Sequence, residues 1–569
     1  MDINYSVEKT LIKENANYHE ASSCITLKPS QKIRRCEWFT RAGLRNVTRF
    51  GLPMYYDEEK ILMVPPSHML VTGSSGTGKT EVIFKNIIKI LAELPDDVKP
   101  SMLITDLKGD ISQQEADYLK AKGYEVVCLD MRNSYCSARY NFLSQIYDDY
   151  HEARRIRNEL KEKKIRREFE GVTYRSIDRA CAAAKAKRLQ LMDWVDQSIT
   201  ELAHIIITVN DPKDKIWVDG ARTMFKAILF TMLKDSEHEN SEMTREKFTI
   251  ANVCRIAFST GEDCEEIVEW MERARNVLCV QNAITSNYQL KAKITRDGYI
   301  SSLNTPLGEY TANAIGAITA TSNDIDLRAV AKSKKPYALF VITDDRRVTT
   351  NNISAMFVNN LINELLQEAD GRDTHCLPRD FVIMADEFAN MPPMPGLSNK
   401  ITTLRSRRIW MMMAIQSIQQ LQKVYGHETS EIIKDNCDLQ LFIGCNNDTT
   451  KEAFARSMGQ TCGVKTSFHW SAGGALSTDK VTTDVPVVRK SDLDSLELGE
   501  FYVRSRQCQN FKSYMTPFFM QPEVSEWRSE ETKEYRDFNP DSNKYDLFAV
   551  LRKEASERSK SGPFGKYFP

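Results

Sequence analysis

The sequence predicts an α/β protein with a mostly parallel sheet, helices on both faces of that sheet, and an inserted all-α domain. Three observations lead to this prediction. A glycine-rich loop lies between a strand pattern and a helix pattern, strand-like apolar runs occur on both sides of a long helical block, and two carboxylates directly follow one of those runs. Strands that alternate with helices are joined by right-handed crossovers, so both faces of the sheet become covered.

The glycine-rich loop predicts a phosphate ligand. Residues 73–80 read Gly-Ser-Ser-Gly-Thr-Gly-Lys-Thr, after an apolar run at 69–71 and before apolar residues at helical spacing over 81–94. Glycines let backbone N–H groups approach phosphate oxygens, and the helix adds its positive N-terminal end. In such a loop Lys79 reaches the β- and γ-phosphates and the Thr80 hydroxyl holds Mg²⁺. A nucleotide is expected to contact all eight residues: Gly73, Ser74, Ser75, Gly76, Thr77, Gly78, Lys79 and Thr80.

Further apolar runs predict the remaining strands and leave a helical block between them. The strand patterns occupy 102–105, 125–129, 337–343, 381–385, 409–415, 439–444, 499–504 and 511–519. A helix is expected between the first two of these strands, and the capping-box pattern Ser112-Gln-Gln-Glu115 predicts that it begins at Ser112. Residues 148–324 look mostly helical and include two long runs without proline, 174–206 and 217–233. Lys79 and Asp386 are 307 positions apart, too far for one minimal nucleotide-binding core, so this block is expected to be an insertion.

These patterns divide the chain into five parts. The C-terminal part carries 19 charged residues in 49, so we expect a loose tail around one short amphipathic piece at 546–551. The predicted parts are a basic N-terminal segment (1–55), the first part of the motor domain (56–147), the all-α insertion (148–324), the second part of the motor domain (325–520) and the charged C-terminal tail (521–569).

Two carboxylates, Asp386 and Glu387, follow the apolar run at 381–385. A parallel strand ends at the carboxyl edge of its sheet, where ligands bind in this architecture. Asp386 is therefore predicted to support Mg²⁺, and Glu387 to orient and polarise an attacking water. The segment Asp106-Leu-Lys108-Gly109-Asp110 ends another strand and is expected at the same edge, with a plain turn as the alternative interpretation.

Arginines and a glutamine flank the next strand. Arg405, Arg407 and Arg408 precede the run at 409–415, and Gln416 follows it. A glutamine at a strand end can sense the γ-phosphate or the attacking water. An arginine outside the loop can neutralise transition-state charge at the nucleotide of a neighbouring subunit, or it can be a surface cation.

Composition limits the class of protein. Hydrophobic residues make up 41% and charged residues 27%, as in a soluble globular protein, and no apolar run approaches the roughly 20 residues of a membrane helix. The N-terminus also lacks a signal pattern, so we expect a cytoplasmic chain that could dock on a membrane protein. Its 13 cysteines form no Cys-x-x-Cys pair, which argues against a disulfide scaffold or a structural zinc site.

Charge is unevenly distributed along a chain whose net charge is −1. Residues 27–50 carry seven Lys and Arg against one acidic residue, and residues 151–190 carry thirteen against six. Either stretch could contact phosphates. For the second stretch, a solvated helix face with i,i+4 ion pairs is an equally good interpretation.

Taken together, these motifs resemble the coupling ATPases of type IV secretion systems, the TraG-like group of conjugative elements. The likeness covers most of the chain from about residue 60 to 520. Its most specific part is an Asp-Glu-Phe-Ala-Asn run followed by Arg-Ser-Arg and by Gln-Ser-x-x-Gln-Leu. The corresponding positions are 73–80, 106–109, 140–143, Trp217, Ala221, 386–390, 404–407, 416–421, 425–426, 436–438 and 492–499.

The resemblance implies a RecA-like motor that works as a homo-hexameric ring around DNA. It implies ATP-driven movement of single-stranded DNA with Mg²⁺, and delivery of DNA with its relaxase to a secretion channel. By position, Lys79 and Thr80 would bind nucleotide and Mg²⁺, and Asp386 with Glu387 would form the hydrolytic pair. Arg405 would be the arginine finger and Gln416 the sensor.

Two departures from the family pattern are visible. Family members commonly begin with transmembrane helices, and this sequence shows none. We therefore expect either a separate membrane subunit that recruits the chain to the inner face of the membrane, or a soluble branch of the family. The family's Tyr-Asn-Pro-Leu element reads Tyr140-Asn-Phe-Leu143 here, which removes a fixed backbone angle and leaves the catalytic interpretation unchanged.

Two other functions remain open from the sequence. One is a ring translocase on double-stranded DNA of the FtsK/HerA type, although the helical insertion and the Asp-Glu-Phe-Ala-Asn run argue against it. The other is an adaptor that recruits protein cargo to a secretion channel through residues 148–324 and uses ATP mainly to assemble.

Overall fold

A ten-stranded sheet forms the centre of the described part of the protein. The computed structural model describes residues 13–14, 24–209, 211–238, 241–260, 263–320, 324–344, 348–470, 476–522 and 535–561. In chain order the central strands are β1 (Ile25–Thr26), β2 (Met69–Gly73), β3 (Ser101–Asp106), β4 (Glu125–Asp130), β5 (Tyr337–Ile342), β6 (Phe381–Ala385), β7 (Ile409–Ile415), β8 (Leu439–Gly444), β9 (Glu500–Ser505) and β10 (Phe511–Tyr514).

The strand order is β1-β10-β9-β8-β2-β7-β6-β3-β5-β4. From β8 to β4 every neighbouring pair is parallel, whereas β9 runs antiparallel to both β8 and β10. The predicted mostly parallel sheet is therefore confirmed. Parallel pairing brings the carboxyl ends of β2, β3, β6 and β7 to one edge, which is the edge that carries the site.

The central strands are apolar because both faces of the sheet are covered. Along β7, Met411 and Met413 pack into the hydrophobic core on one face, and Trp410 and Met412 pack into the core on the other. Successive side chains of a strand point to opposite faces, so each strand contributes to two cores. All seven residues of β7 are buried.

Helices cover the two faces of the sheet. A wide helical turn at Lys79–Phe84 continues into Lys85–Ala92, which agrees with the predicted helix after the loop. The other helices outside the insertion are Asp110–Ala121, Leu327–Lys332, Val348–Asp370, Leu397–Leu404, Ile418–Asn436, Asp448–Ser457, Lys490–Asp494 and Leu547–Ser561.

The insertion is almost entirely helical. Its one described departure is a short antiparallel ribbon of Glu168–Phe169 and Val172–Thr173, which lies between the first two helices. Ser176 begins the longest helix by accepting a hydrogen bond from the Arg179 N–H, a standard N-cap. The helices are Ser144–Lys161, Ile177–Ile206, Lys215–Asp235, Ile250–Phe258, Glu265–Met271, Leu278–Ala283, Lys293–Gly308 and Asn313–Ile318.

Besides the ribbon in the insertion, two three-stranded sheets lie outside the central one in the described residues. The strands Glu37–Thr40, Leu52–Tyr56 and Lys60–Val64 form an antiparallel sheet that crosses residue 55, the predicted end of the N-terminal segment, and the basic composition alone did not predict this sheet. A long hairpin of Gln460–Trp470 and Leu476–Pro486 pairs with Lys13–Glu14. None of the described helices is long and apolar enough to cross a membrane.

The C-terminal residues differ from the sequence-based prediction. Residues 535–561, here called the C-terminal strap, pack on the insertion, so the expectation of a loose tail is wrong for this stretch. The Tyr545 hydroxyl donates to Asp235 at 2.7 Å and accepts from the Trp270 indole N–H at 3.1 Å. Composition shows only the many charged residues of the strap, whereas the few buried residues such as Tyr545 hold it in place.

Two element boundaries also differ. The predicted helix start at Ser112 is wrong, because the helix begins at Asp110 after Gly109, whose φ of 75° suits glycine. β10 ends at Tyr514 and does not continue to 519, since Pro517 precedes a short helical turn at Phe518–Met520.

Candidate nucleotide-binding site

The glycine-rich loop follows β2 and is held against the end of β8. The Ser74 N–H donates to the Gly444 carbonyl at 2.8 Å, and the Thr77 hydroxyl donates to the Ser74 carbonyl at 2.8 Å. A Cβ atom on Gly73 would lie 2.5 Å from the Ile443 side chain, so glycine is required there. Gly78 has a backbone φ of 92°, a conformation that residues other than glycine rarely adopt.

Lys79 and Thr80 begin the helix after the loop. Nζ of Lys79 donates to the Gly73 carbonyl at 2.7 Å and to the Ser74 carbonyl at 3.1 Å. Burial lowers the pKa of Lys79, and the nearby Asp386 and Glu387 carboxylates oppose that shift. The Thr80 hydroxyl donates to Oδ2 of Asp386 at 2.9 Å, which joins two segments that are 306 positions apart in sequence.

Asp386 follows β6 and has one oxygen available. Its Oδ1 atom is buried and accepts no hydrogen bond, while Oδ2 accepts from Thr80. Burial raises the pKa of Asp386 to about 6, so the carboxylate is ionised at neutral pH. A free carboxylate oxygen beside a threonine hydroxyl is the kind of hard oxygen donor set that Mg²⁺ takes. Thr80 and Asp386 therefore fit the predicted metal.

Glu387 occupies an unusual backbone conformation. Its φ of 57° and ψ of 49° are left-handed, which is uncommon for a residue with a side chain and is found at functional sites. Its Oε2 atom accepts a close hydrogen bond from the Asn390 side-chain amide. The next residue, Phe388, is buried and stacks on Tyr425 with ring centroids 5.4 Å apart, which fixes the chain beyond Glu387.

Gln416 lies at the end of β7, beside the end of β6. Its backbone N–H donates to the Gln420 side chain at 3.3 Å, and its carbonyl accepts from the Cys445 thiol at 3.3 Å. The sheet therefore brings Lys79, Thr80, Asp386, Glu387 and Gln416 to one edge, as the sequence predicts.

Arg405 lies at the opposite edge of the sheet. It precedes β7, and its guanidinium bonds Asp438 at 2.8 Å, just before β8. A strand of seven residues spans roughly 20 Å, so Arg405 cannot reach the loop of its own chain. The side chain is 54% exposed and is available to a neighbouring molecule.

Several polar groups at this edge were not assigned a role from the sequence. Asp106, which the sequence placed here, accepts from the N–H groups of Gly109 and Ser112, each at 2.8 Å, and so begins the helix Asp110–Ala121. The Asn446 N–H donates to the Ser74 hydroxyl at 3.1 Å. Asn446 lies in a loop without a recognisable motif, so no sequence signal marked it.

Comparison with protein families identifies the chain. A family model described as type IV secretory system conjugative DNA transfer matches residues 15–483. The chain belongs to this family. Its place is thus in conjugative DNA transfer linked to a type IV secretion system, as the resemblance implied. No curated protein matches the sequence.

Solved structures share the family fold. The bacterial conjugative coupling protein TrwBdeltaN70 in complex with sulphate is 14% identical, with a TM-score of 0.54 over 88% of this chain and 98% of that one. The plasmid coupling protein TrwB in complex with the ATP analogue ADPNP is 13% identical, with a TM-score of 0.54 over 90% of this chain and all of that one. This likeness confirms the predicted RecA-like motor fold.

Proposed function

We propose that this chain is the ATP-driven coupling motor of a conjugative system, which delivers single-stranded DNA with its bound relaxase to a type IV secretion channel. The observation that carries the proposal is the bond from Thr80 to Asp386, which joins the phosphate loop to a carboxylate with a buried free oxygen. The fold is shared with TrwB, whose structures include complexes with ADPNP and with ADP and Mg²⁺.

Each residue of the site has a separate proposed role in ATP hydrolysis. The loop N–H groups hold the phosphates, and Lys79 exchanges its carbonyl partners for the β- and γ-phosphate oxygens. Thr80 and Asp386 would hold Mg²⁺, which when bound neutralises phosphate charge. Glu387 orients the attacking water and accepts its proton, while Gln416 senses the terminal phosphate.

The matching test compares two variants of the full chain. Lys79→Ala should lose ATP binding and hydrolysis, because the phosphate charge loses its buried cation. Glu387→Gln should still bind ATP but turn it over about 10²–10⁴ times more slowly, the usual cost of losing one positioned proton acceptor. The measurement is ATP hydrolysis with and without single-stranded DNA. Normal turnover by Glu387→Gln would remove this residue from its role.

Arg405 is proposed to act on the nucleotide of a neighbouring subunit in a homo-hexamer. Arg405→Ala should then hydrolyse ATP poorly as an assembly, yet recover partial activity when mixed with Lys79→Ala subunits. Arg407→Ala is the control, because Arg407 pairs with Asp370 at the same sheet edge. Failure of the mixed assembly to recover, with assembly verified, would show that Arg405 does not act across subunits.

DNA and partner specificity need a separate measurement. We propose that the motor parts 56–147 and 325–520 move the DNA, and that a membrane-anchored channel subunit holds the chain at the inner face of the membrane. Stimulation of hydrolysis by single strands and not by duplex would support this function. Stimulation by duplex alone would favour a double-stranded DNA translocase, and relaxase capture that survives Glu387→Gln would favour an adaptor.

A further inference from the structure

Two side-chain amides, Asn390 and Gln420, connect Glu387 to Gln416 through hydrogen bonds and are here called the relay. The Asn390 amide nitrogen donates to Oε2 of Glu387, and its amide oxygen accepts from Nε2 of Gln420 at 3.0 Å. The Gln420 oxygen in turn accepts from the backbone N–H of Gln416 at 3.3 Å. The relay thus joins the ends of β6 and β7, which are neighbouring strands in the sheet.

We propose that Asn390 and Gln420 are positioning residues that hold the Glu387 carboxylate in its working orientation. This inference rests on the proposed role of Glu387 in hydrolysis. A carboxylate has two acceptor oxygens, and only Oε2 is taken by Asn390. The second oxygen is left to face the attacking water, while the first is fixed and stops the carboxylate from rotating.

The chemistry of the relay requires an amide at position 390. One planar group must donate to a carboxylate on one side and accept from an amide nitrogen on the other, and an asparagine does both. An aspartate would repel Glu387, and an aliphatic side chain would bond neither partner. The amide orientation is also determined, since the opposite one would bring the Asn390 oxygen against the carboxylate.

Both relay residues are held by their own backbone surroundings. The Asn390 N–H donates to the Glu387 carbonyl at 2.9 Å, so the short turn Phe388–Asn390 places the amide beside the carboxylate. Gln420 lies in the first turn of the helix Ile418–Asn436, where its N–H donates to the Ser417 side chain that caps the helix. Residues whose own position is fixed can hold a third group within the tolerance that catalysis needs.

The relay also connects the sensor position with the proton acceptor. Gln416 directly follows β7, and its backbone N–H is the last donor in the series of hydrogen bonds that reaches Glu387. A displacement of the β7 end would therefore be passed through Gln420 and Asn390 to the carboxylate. A residue that only stabilised the local turn would not produce this connection.

The test uses steady-state hydrolysis by the full-length protein with saturating Mg²⁺. Asn390→Ala should lower kcat about 10- to 100-fold with KM and ATP affinity unchanged, because the loss affects only the reacting geometry. Gln420→Ala should lower kcat several-fold. Gln419→Ala is the matched control, since Gln419 bonds Thr450 and lies outside the relay, and its kcat should equal that of the unmodified protein.

A double variant separates positioning from a structural role. In the Glu387→Gln background, Asn390→Ala should change the residual turnover less than twofold, because the carboxylate that it positions is already absent. Additive losses would overturn the inference, and so would an Asn390→Ala enzyme with unchanged or raised kcat. Should Asn390→Ala fail to fold, the isosteric Asn390→Asp gives the same comparison, with a loss of kcat expected.

The same set of variants distinguishes the two proposals. A slow Glu387→Gln enzyme together with an unaffected Asn390→Ala enzyme would overturn the relay and leave the proposed function intact. Full activity in Glu387→Gln would overturn the role of Glu387 itself, and the relay would lose its purpose with it.

Discussion

The two ends of β6 carry similar residues with different surroundings. Asp380 precedes the strand and Asp386 follows it. Both oxygens of Asp380 are bonded, one to the Arg408 guanidinium and the other to the Trp410 indole N–H at 2.9 Å. Asp386 has only the Thr80 hydroxyl on one oxygen and nothing on the other. The amino edge of the sheet is thus closed by its own side chains, and the carboxyl edge is open to a ligand.

A third carboxyl group shows that an unbonded oxygen is not a sufficient sign of a site. Oε1 of Glu115 is also buried and unbonded, inside the helix Asp110–Ala121. Burial raises the pKa of Glu115 to about 8, so it is mostly neutral at pH 7, whereas the pKa of Asp386 is about 6. The combination that marks the nucleotide site is a free oxygen on a carboxylate that remains charged.

The largest expected effect separates the two ends of β6. Asp386→Asn should lower Mg²⁺-dependent ATP hydrolysis about 10²-fold, because the metal loses a charged partner. Asp380→Asn, the matched change at the other end, should leave turnover per folded molecule unchanged. Hydrolysis assays on both variants at pH 7.5 test the contrast. Equal losses in the two variants would contradict the distinction between an open and a closed edge.

The variant Glu115→Gln tests, through the pH dependence of stability, whether Glu115 is protonated in the folded protein. The pKa of Glu115 is raised in the folded protein, so the folded state keeps a proton that the unfolded chain releases above its usual pKa of 4.5. The contribution of Glu115 to the free energy of unfolding is fully present below about pH 4.5 and is lost as the pH rises to and through 8. Glu115→Gln should therefore gain about 3 kcal/mol in the free energy of unfolding over the unmodified protein at pH 7, and little at pH 4.5.

Urea unfolding at these two pH values measures that gain. A gain of equal size at both would show that Glu115 is not protonated in the folded protein. The variant Asp386→Asn would not serve as the same pH test, because removing the Asp386 charge also changes the electrostatic surroundings of Lys79.

The smallest expected effect concerns the closed edge. Asp380→Asn should lower the free energy of unfolding by about 1–2 kcal/mol, because the Arg408 guanidinium loses its charged partner while remaining 41% exposed to water. Thermal unfolding measures the change. An unchanged melting temperature would mean that the paired end of β6 contributes no more to stability than a surface ion pair.

Residues that lie in a short motif or at a strand end were predictable, and long-range contacts between residues outside any motif were not. Lys79, Asp386, Glu387 and Gln416 each lie in a short pattern or at a strand end, so periodicity and motif were enough to place them. By contrast, the strap is held by Tyr545 and Asp235, which are 310 positions apart, and neither residue belongs to a motif. Ser112 shows a different failure, because its local capping-box pattern suggested a start two residues too late, whereas the helix begins at Asp110 directly after Gly109.

The strap gives the polypeptide a third passage between the motor and the inserted domain. A domain attached by two passages alone can rotate about the line that joins them. The third attachment limits such rotation, because the described strap is bonded to Trp270 and Asp235 of the insertion. Removing the strap would release that restraint without removing any residue of the nucleotide site.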